Sequence, residues 1–415
     1  MRTSAICLLA GLGCASALAA VPTVSNVRVA QNGSTRLVTV TYDLADADAV
    51  VTVDFTTNGV SIGAANFTNA TGAVNCRVAV GNSRTFTWNP LASWPDRQLT
   101  NAVFGARLRA WALNAPPPYM TADVADGAVR YYASAEAVPG SISNETYKTQ
   151  KLLLRLIPAN RREFTMGAPA SVSSLAECSH RETLHQVTLT NDFYLCIYET
   201  TQRQWELVKG NRPSVANNDA CYEMRPVENV SYRDIRGASL GLQWPANDEV
   251  DATSFLGVLR ERTGVRFDLP TDAQWEFACK AGTMTALYTG TDSCVTSTET
   301  PIARCNGNGG MNWDSGVDTS GATDVVGSYL PNAFGLYDMI GNVYEWCLDR
   351  CPSDGSISAD DVVDPLGVTT STDYRVKHGG CAESYYRYDR ASYRSVGKSS
   401  SQARTTGFRV ALRLQ

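Results

Sequence analysis

The chain has 415 residues, which is enough for two or three ordinary domains. Its apolar fraction of 44% and charged fraction of 19% are typical of a globular protein and exclude a largely disordered chain. A net charge of -5 disfavours nucleic-acid binding, for which a basic balance or a basic face is typical.

The first 20 residues have the features of a secretory signal peptide. Arg2 provides the positive charge, residues 5–12 form a short apolar stretch, and Ala17 and Ala19 are the small residues that signal peptidase requires. We therefore predict cleavage near Ala19 or Ala20 and a mature protein that is secreted, periplasmic or held at the cell surface. No later segment is long and apolar enough to predict a membrane-spanning helix.

The cysteines are distributed unevenly. Ten of the chain's 12 cysteines follow the predicted signal peptide, and nine of these lie between Cys178 and Cys381. Because exported chains meet oxidising conditions, we expect most of them to form disulfides. Their number leaves the pairing open, although Cys347 and Cys351 are close enough in sequence to belong to one bridge system.

Residues 21–118 are predicted to form an antiparallel β-sandwich of the fibronectin or immunoglobulin type. Apolar and polar residues alternate over 38–44, which is the period of a half-buried strand, and residues 51–55 and 104–112 repeat this pattern. Asn-Gly and Gly-Asn turn signals lie between these stretches. Several short strands at this spacing favour a sandwich, and the proline-rich residues 114–118 mark its end.

Residues 119–150 are predicted to contain one or two additional strands and a polar linker. Residues 151–415 are predicted to form a second domain that mixes helices and strands. Much of this domain is rich in glycine, aspartate, asparagine and aromatic residues and has few long periodic elements. A domain of this kind depends on loops, which disulfides or bound ions commonly stabilise.

Three helices are predicted in the second domain. Residues 200–209 and 253–263 have helical patterns, and a third helix follows Pro270. In this third helix Thr271 has the spacing to cap the N-terminus while Gln274 reaches back, and Gly282 is its predicted end.

Several stretches, taken in chain order, resemble the formylglycine-generating enzyme (sulfatase-modifying factor) family. They are EFTMG (163–167), HQVTLTNDFYLCIYETTQRQWE (185–206), RPVENVSYRD (225–234), FDLPTDAQWEFACKAGT (267–283), VGSYLPNAFGLYDMIGNVYEWCLDR (326–350), RVKHGG (375–380) and GFRVAL (407–412). The resemblance covers roughly residues 160 to 413. It implies a mixed α+β, C-type-lectin-like fold with little regular structure.

The resemblance also implies a structural calcium site in residues 338–345. In the family this stretch holds a calcium ion, and calcium takes about six to eight oxygen ligands, which include backbone carbonyls. Carried over to this chain, the ligands are the side chains of Asp338 and Glu345 and the carbonyl oxygens of Met339, Gly341 and Val343. The alternative is a packed turn in which Asp338 caps backbone groups. Asn306 matches the asparagine of a second family calcium site, but the residues after it depart from the family's spacing.

The family's oxidase chemistry is not predicted for this chain. Its oxidase members bind copper through a pair of cysteines shortly after a glycine pair, which corresponds here to Gly379 and Gly380, and they convert a sulfatase cysteine to formylglycine. Soft thiolates suit copper(I), which explains the need for two. Residues 381–406 contain Cys381 alone, directly beside the glycines. We therefore predict no catalytic residue and no copper, and we expect Cys381 to be structural.

The segment 381–406 has the composition of a binding surface. It holds four tyrosines, six serines and four arginines, and tyrosine and serine with arginine are typical of paratopes. In diversity-generating retroelement systems this fold ends in a hypervariable, ligand-binding segment before a closing GFR strand, and this chain is similar in position and composition. The alternative is a solvated loop with some tyrosines packed on the domain. The predicted binding residues are Tyr385, Tyr386, Arg387, Tyr388, Asp389, Arg390, Tyr393 and Arg394.

Two functions follow from these patterns. The first is a non-catalytic, exported recognition module that binds a protein or a glycan through this segment. The second is an enzyme of the formylglycine-generating or non-haem-iron oxidoreductase superfamily that acts on a sulfatase or another exported protein. The missing cysteine pair and the tyrosine-rich segment favour the first.

Overall fold

The computed structural model describes residues 20–95, 102–173, 179–217, 220–237, 249–293, 301–306, 323–369 and 372–414. Apart from Ala20, the predicted signal peptide lies outside the described residues. In this part of the chain no helix is long and apolar enough to cross a membrane.

Short antiparallel strands make up the N-terminal part of the chain. They are β1 (Thr23–Gln31), β2 (Val38–Ala45), β3 (Ala49–Thr57), β4 (Val60–Ser61), β5 (Thr71–Gly72), β6 (Cys76–Val78), β7 (Gly81–Trp88) and, after helix α1 (Pro90–Ser93), β8 (Phe104–Ala112). One sheet has the order β1-β2-β7-β5, and the second has the order β4-β3-β6 with β8 paired to β3. Strand β2 alternates between buried and partly exposed residues, as its sequence pattern predicts.

An apolar core lies between these two sheets. Phe55 of β3 stacks on Trp88 of β7 with the ring centroids 4.6 Å apart, and both side chains are buried. The two sheets thus bury apolar side chains against each other.

The remaining elements are mixed. In chain order they are β9 (Tyr119–Asp123), β10 (Val129–Tyr132), α2 (Thr146–Thr149), β11 (Lys151–Ile157), β12 (Arg162–Met166), α3 (Ala170–Ser173), β13 (His185–Leu189), β14 (Phe193–Cys196), α4 (Gln202–Lys209), α5 (Tyr232–Arg236), α6 (Phe255–Thr263), α7 (Asp272–Lys280), β15 (Tyr344–Arg350), β16 (Val362–Val363), β17 (Tyr374–His378), β18 (Ser395–Lys398), β19 (Thr406–Gly407) and β20 (Ala411–Arg413). The protein is therefore strand-rich and of mixed α and β type, with few helices.

A five-stranded sheet with the order β10-β9-β11-β14-β20 organises this second part. Leu153 of β11 packs into one apolar core, and its neighbours Leu152 and Leu154 pack into another, so the sheet is covered on both faces. Strands β9 and β10 are hydrogen-bonded into the same sheet as β11 and the C-terminal strand β20. Two smaller sheets, β12-β13-β16 and β18-β17-β15-β19, complete the architecture.

The three predicted helices are present as α4, α6 and α7. Helix α7 begins with the predicted capping box, in which Gln274 N donates to Thr271 Oγ1 at 3.1 Å and Thr271 N donates to Gln274 Oε1 at 3.0 Å. Its predicted end at Gly282 is wrong by one residue, because Ala281 is the left-handed C-cap with a φ of 46°. Helix α4 ends at Gly210, which has a φ of 72°.

The prediction that most cysteines form disulfides is not supported. In the described part of the chain Cys76, Cys196, Cys279, Cys347, Cys351 and Cys381 are all thiols, so Cys347 and Cys351 do not share a bridge. All but Cys76 are buried, and a buried thiol packs as a small apolar side chain, which explains their positions without oxidation. Cys178 and Cys294 lie outside the described residues.

Two glycines with left-handed backbones provide a matched test of packing. A Cβ at Gly167 would lie 2.5 Å from the Glu182 carbonyl oxygen and 2.6 Å from that of Thr183, whereas one at Gly210 meets nothing within 4 Å. We expect Gly210→Ala to lower the free energy of unfolding by about 1 kcal/mol, the conformational cost alone. We expect Gly167→Ala to lower the free energy of unfolding by about 2 kcal/mol more than Gly210→Ala does, because the backbone at Glu182 and Thr183 must move to make room for the Cβ. Equal values in urea denaturation would contradict this account of the packing.

Candidate functional site

A turn with left-handed residues lies just before β15 and forms the centre of the site. Asp338, Gly341 and Asn342 have φ values of 55°, 81° and 58°. Gly341 is required because a Cβ there would lie 2.4 Å from the Arg304 carbonyl oxygen. Asp338 and Asn342 are each only 1% exposed, so their polar groups need partners inside the protein.

Three buried carboxylates and one guanidinium lie beside this turn. Glu199, Asp338 and Glu345 are at most 1% exposed, and Arg409 is fully buried. Arg409 donates from Nε to Glu345 Oε2 at 2.7 Å and from Nη2 to Glu345 Oε1 at 2.5 Å. The Trp275 indole N–H also donates to Glu345 Oε2, at 2.7 Å. Glu345 is therefore held by a two-point ion pair, the strongest geometry available to these groups.

The other two carboxylates have neutral partners. Glu199 accepts hydrogen bonds from the Val343 backbone N–H at 3.2 Å and from the Asn342 side chain at 2.6 Å. Asp338 Oδ2 accepts from the Gly327 N–H at 2.6 Å. Asp338 Oδ1 is buried and has no hydrogen-bond partner among the described residues. An unpartnered buried carboxylate oxygen is costly unless the carboxyl group is protonated or a cation binds it.

The pKa values of the carboxyl groups in the cluster are also perturbed. Burial, together with the neighbouring Asp338 and Glu345 carboxylates, raises the pKa of Glu199 well above its ordinary value. Burial raises the pKa of Asp338 to about 6, although Arg409 and the partly exposed Lys148 act in the opposite direction. One guanidinium does not compensate three carboxylates, so the cluster favours a bound proton or a bound cation.

Backbone oxygens complete this picture. The carbonyl oxygens of Met339 and Val343 both lie near Gly379, where an added Cβ would be 3.4 Å from the first and 3.6 Å from the second. No three His, Cys, Asp or Glu side chains within the described ranges come together closely enough to hold a metal ion. A cation here would therefore need carbonyl oxygens as well as Asp338, which is the composition of the predicted ligand set. Glu345 is already engaged by Arg409 and Trp275.

Asn342 connects this turn to the C-terminal segment. Its side chain accepts a hydrogen bond from the Asp324 N–H at 2.9 Å and donates to Glu199. Its backbone N–H donates to the Arg304 carbonyl at 2.9 Å, and its carbonyl accepts from the Ala382 N–H at 2.8 Å. The start of the tyrosine-rich segment is thus built directly on the carboxylate cluster.

The eight predicted binding residues divide into an exposed and a buried group. Tyr385 and Tyr386 are 57% and 43% exposed, Arg387 is exposed, and Tyr388 is half-buried. We call these four residues the tyrosine patch. Asp389, Arg390, Tyr393 and Arg394 are at most 6% exposed. This burial narrows the predicted surface to the patch, because the other four side chains are not accessible to a ligand.

The buried group anchors the patch through ion pairs. Arg390 is fully buried and donates to Glu182 at 2.9 Å, and Arg394 pairs with Asp272. Arg390 also donates from Nε to the Arg387 carbonyl at 2.8 Å, which fixes the backbone of the patch. Composition alone did not predict the burial of these arginines, because arginine and serine are usually exposed unless they are paired.

The two remaining sequence candidates lie at the edge of the cluster. The Asn306 N–H donates to the Ser384 carbonyl at 3.1 Å, and residues 307–322, which follow it, lie outside the described residues. Cys381 is buried with its sulfur 3.2 Å from Ser384 Oγ. Burial raises the pKa of the Cys381 thiol to about 12, which disfavours the thiolate form.

Residues 156–414, more than half of the chain, match the family model described as the sulfatase-modifying factor enzyme 1-like domain. The chain belongs to this family. It is 30% identical to the formylglycine-generating enzyme of Mus musculus over 190 residues, which are 45% of this chain and 50% of that enzyme. It is 36% identical to that of Thermomonospora curvata over 151 residues, 34% of this chain and 48% of that enzyme. The chain thus spans about half the length of the curated relatives it matches.

A solved structure with this fold is that of Treponema denticola variable protein 1. The TM-score is 0.50 at 22% sequence identity, and the match covers 66% of this chain and 96% of that chain. This similarity confirms the fold of the sulfatase-modifying factor family in the second part of the chain.

Sequence reasoning missed several residues of the site. Glu199, Asn342 and Arg409 lie inside the family motifs at 185–206, 326–350 and 407–412, yet only the oxygen donors of the middle motif were predicted to act. For Arg409 the available signal was a charged residue between two apolar neighbours, Phe408 and Val410. A further buried pair joins His378 Nε2 to Asp272 Oδ1 at 2.5 Å. The His378 ring stacks on Trp275 with the ring centroids 4.6 Å apart.

The division of the segment predicts two kinds of variant. Arg390→Met leaves Glu182 buried without its partner, so we expect the free energy of unfolding in urea to fall by about 3–5 kcal/mol. Arg387→Gln changes an exposed side chain and should alter the free energy of unfolding by less than about 0.5 kcal/mol. The double variant Glu182→Leu/Arg390→Met should recover much of the loss, because no charge is left buried. Similar stabilities for Arg390→Met and Arg387→Gln would show that the segment is not anchored in this way.

Proposed function

We propose that this protein is an exported recognition module of the sulfatase-modifying factor family that binds a protein or glycan through the tyrosine patch. The carrying observation is exposure: in the described part of the chain, Tyr385 and Tyr386 are the only aromatic side chains among the exposed large apolar residues, and they are adjacent. Exposed tyrosines beside an arginine supply rigid, amphipathic contact area, the property of binding hot spots.

The support beneath the patch favours binding. The backbone of Arg387 is held by Arg390, and the start of the segment is held by Asn342. A surface that is fixed before it meets its ligand loses less conformational entropy on binding, so more of the contact energy appears as affinity.

The chemistry around Cys381 disfavours the family's oxidase reaction. Residues 381–406 contain no second cysteine, and the Cys381 thiol is buried beside Ser384 with a raised pKa. The alternative function is that of an enzyme of the wider superfamily. Oxidation of a sulfatase-motif peptide by copper-loaded protein would establish it.

We further propose that the turn at residues 338–345 binds a structural calcium ion. Its ligands would be Asp338, through the oxygen that has no hydrogen-bond partner, and the carbonyl oxygens of Met339, Gly341 and Val343. Glu345 would contribute only oxygens that it already shares with Arg409 and Trp275. The ion would supply positive charge to a buried cluster with excess negative charge and would stiffen the base of the patch.

The N-terminal part has a separate role in this proposal. Its two sheets around one core support a β-sandwich of the fibronectin or immunoglobulin type, and the second part would have the C-type-lectin-like arrangement of its family. With residues 1–20 as a signal peptide, the sandwich would hold the recognition domain out from the cell. The mature protein would then be periplasmic, secreted or at the cell surface.

Calcium should stabilise the protein. We expect a chelator to lower the melting temperature measured by circular dichroism and calcium to restore it, because a ligand at 100 times its Kd adds about 2.7 kcal/mol. Asp338→Asn should remove the response, and Asp360→Asn, a change at an exposed carboxylate elsewhere, should keep it. An unchanged melting temperature with and without chelator would remove the calcium proposal.

The patch should account for ligand binding. In a screen against immobilised glycans and exported proteins, Tyr385→Ala/Tyr386→Ala should bind any ligand of the wild type at least about tenfold more weakly, since hot-spot truncations cost more than about 1–2 kcal/mol. Its thermal stability should not change, because both side chains are exposed.

Met284→Ala is the matched control. Met284 is 63% exposed and lies outside the patch, so this variant should bind as the wild type does. Ligands that bind equally well to the wild type and to the double tyrosine variant would contradict the proposed surface.

A further inference from the structure

The guanidinium of Arg387 is positioned by the patch itself. Its central carbon lies 5.5 Å from the ring centroid of Tyr385 and 5.1 Å from that of Tyr388. Tyr388 in turn packs on the buried Tyr393 with ring centroids 5.2 Å apart. Two rings therefore restrict a side chain that is normally mobile, and cation–π attraction favours this placement.

Arg387 has no acidic partner in the described residues, unlike its neighbours. Between residues 381 and 406 the buried or partly buried arginines are paired: Arg390 with Glu182, Arg394 with Asp272, and Arg404 with Glu383. Arg387 is exposed and forms no hydrogen bond or ion pair through its guanidinium within the described ranges. Arg387 is thus the exposed arginine of this segment, and its guanidinium lies over two tyrosine rings.

We infer that the tyrosine patch recognises a carboxylate-bearing sugar, of the uronic or sialic acid class. This inference rests on the proposed recognition function and names the class of its ligand. Arg387 would donate two parallel hydrogen bonds to the sugar carboxylate, the geometry that a planar guanidinium favours. The exposed rings of Tyr385 and Tyr386 would contact the apolar face of the sugar, and their hydroxyl groups would bond its polar edge.

The size of the patch favours a sugar over a protein partner. A stable protein interface uses about 20–30 residues on each side. The patch consists of four consecutive residues, and the four other predicted contact residues around it are buried. Four residues are far fewer than a protein interface uses, so a ligand of one or two sugar units suits the patch better, with a single charged contact for selectivity.

Fluorescence anisotropy with labelled sugars tests this inference on the full mature protein. The probes are trigalacturonate and sialyllactose, with galactotriose and lactose as their neutral counterparts and hexa-aspartate as an acidic peptide. We expect at least one acidic sugar to bind about tenfold or more tightly than its neutral counterpart and than hexa-aspartate, as charge-assisted hydrogen bonds would produce. The two acidic probes distinguish uronic from sialic acid.

Variants of Arg387 complete the test. Arg387→Gln should reduce acidic-sugar binding about tenfold or more, Arg387→Lys should restore only part of it, and Met284→Ala should leave it unchanged. Binding of neutral sugars or hexa-aspartate as tight as that of the acidic sugars, or no binding of either acidic sugar, overturns the inference.

The two proposals fail separately. A ligand from the broader screen that depends on Tyr385 and Tyr386 but not on Arg387 overturns the acidic-sugar inference and leaves the recognition function intact. Ligands that ignore both tyrosines overturn the recognition function itself.

Discussion

The ion pair between Arg409 and Glu345 holds together separate elements of the second part of the chain. Arg409 lies just before the edge strand β20, and Glu345 lies in β15 of another sheet. The same guanidinium also donates to the carbonyls of Cys196 and Ile197 in the central sheet region and to those of Tyr337 and Asp338 at the turn. One side chain therefore fixes two sheets and the irregular turn between them, where regular hydrogen-bond ladders are not available.

This arrangement has an electrostatic consequence. A single guanidinium leaves Glu199 and Asp338 with neutral partners, and both carboxyl groups have raised pKa values. The buried cluster thus favours either a proton or a cation at these two carboxyl groups. A cation held there would stabilise the turn, and through the bond from Ala382 N–H to the Asn342 carbonyl it would also stabilise the start of the exposed segment.

Local patterns predicted the elements better than the site. The alternation in β2 and the Thr271 capping box were recognisable because each depends on neighbours within a few residues. The family motifs indicated the fold and the turn at Asp338. Composition did not reveal that Arg390 and Arg394 are buried, because burial of an arginine depends on carboxylates far away in sequence, Glu182 and Asp272. For the same reason the partners of Glu345 were not predictable, since Arg409 and Trp275 lie on separate elements.

The ion pairs beneath residues 381–406 are separate from the exposed side chains of the tyrosine patch. The ion pairs beneath the segment do not involve the side chains of Tyr385, Tyr386 or Arg387, so changes at these three positions cost little folding energy. The same three side chains stand on a backbone that Arg390 holds in place. The exposed side chains of the patch can therefore change without altering the core. The constraint that remains is charge: Arg390 and Arg394 must keep their carboxylate partners, whereas Arg387, the exposed arginine of residues 381–406, can change without leaving a buried charge unpaired.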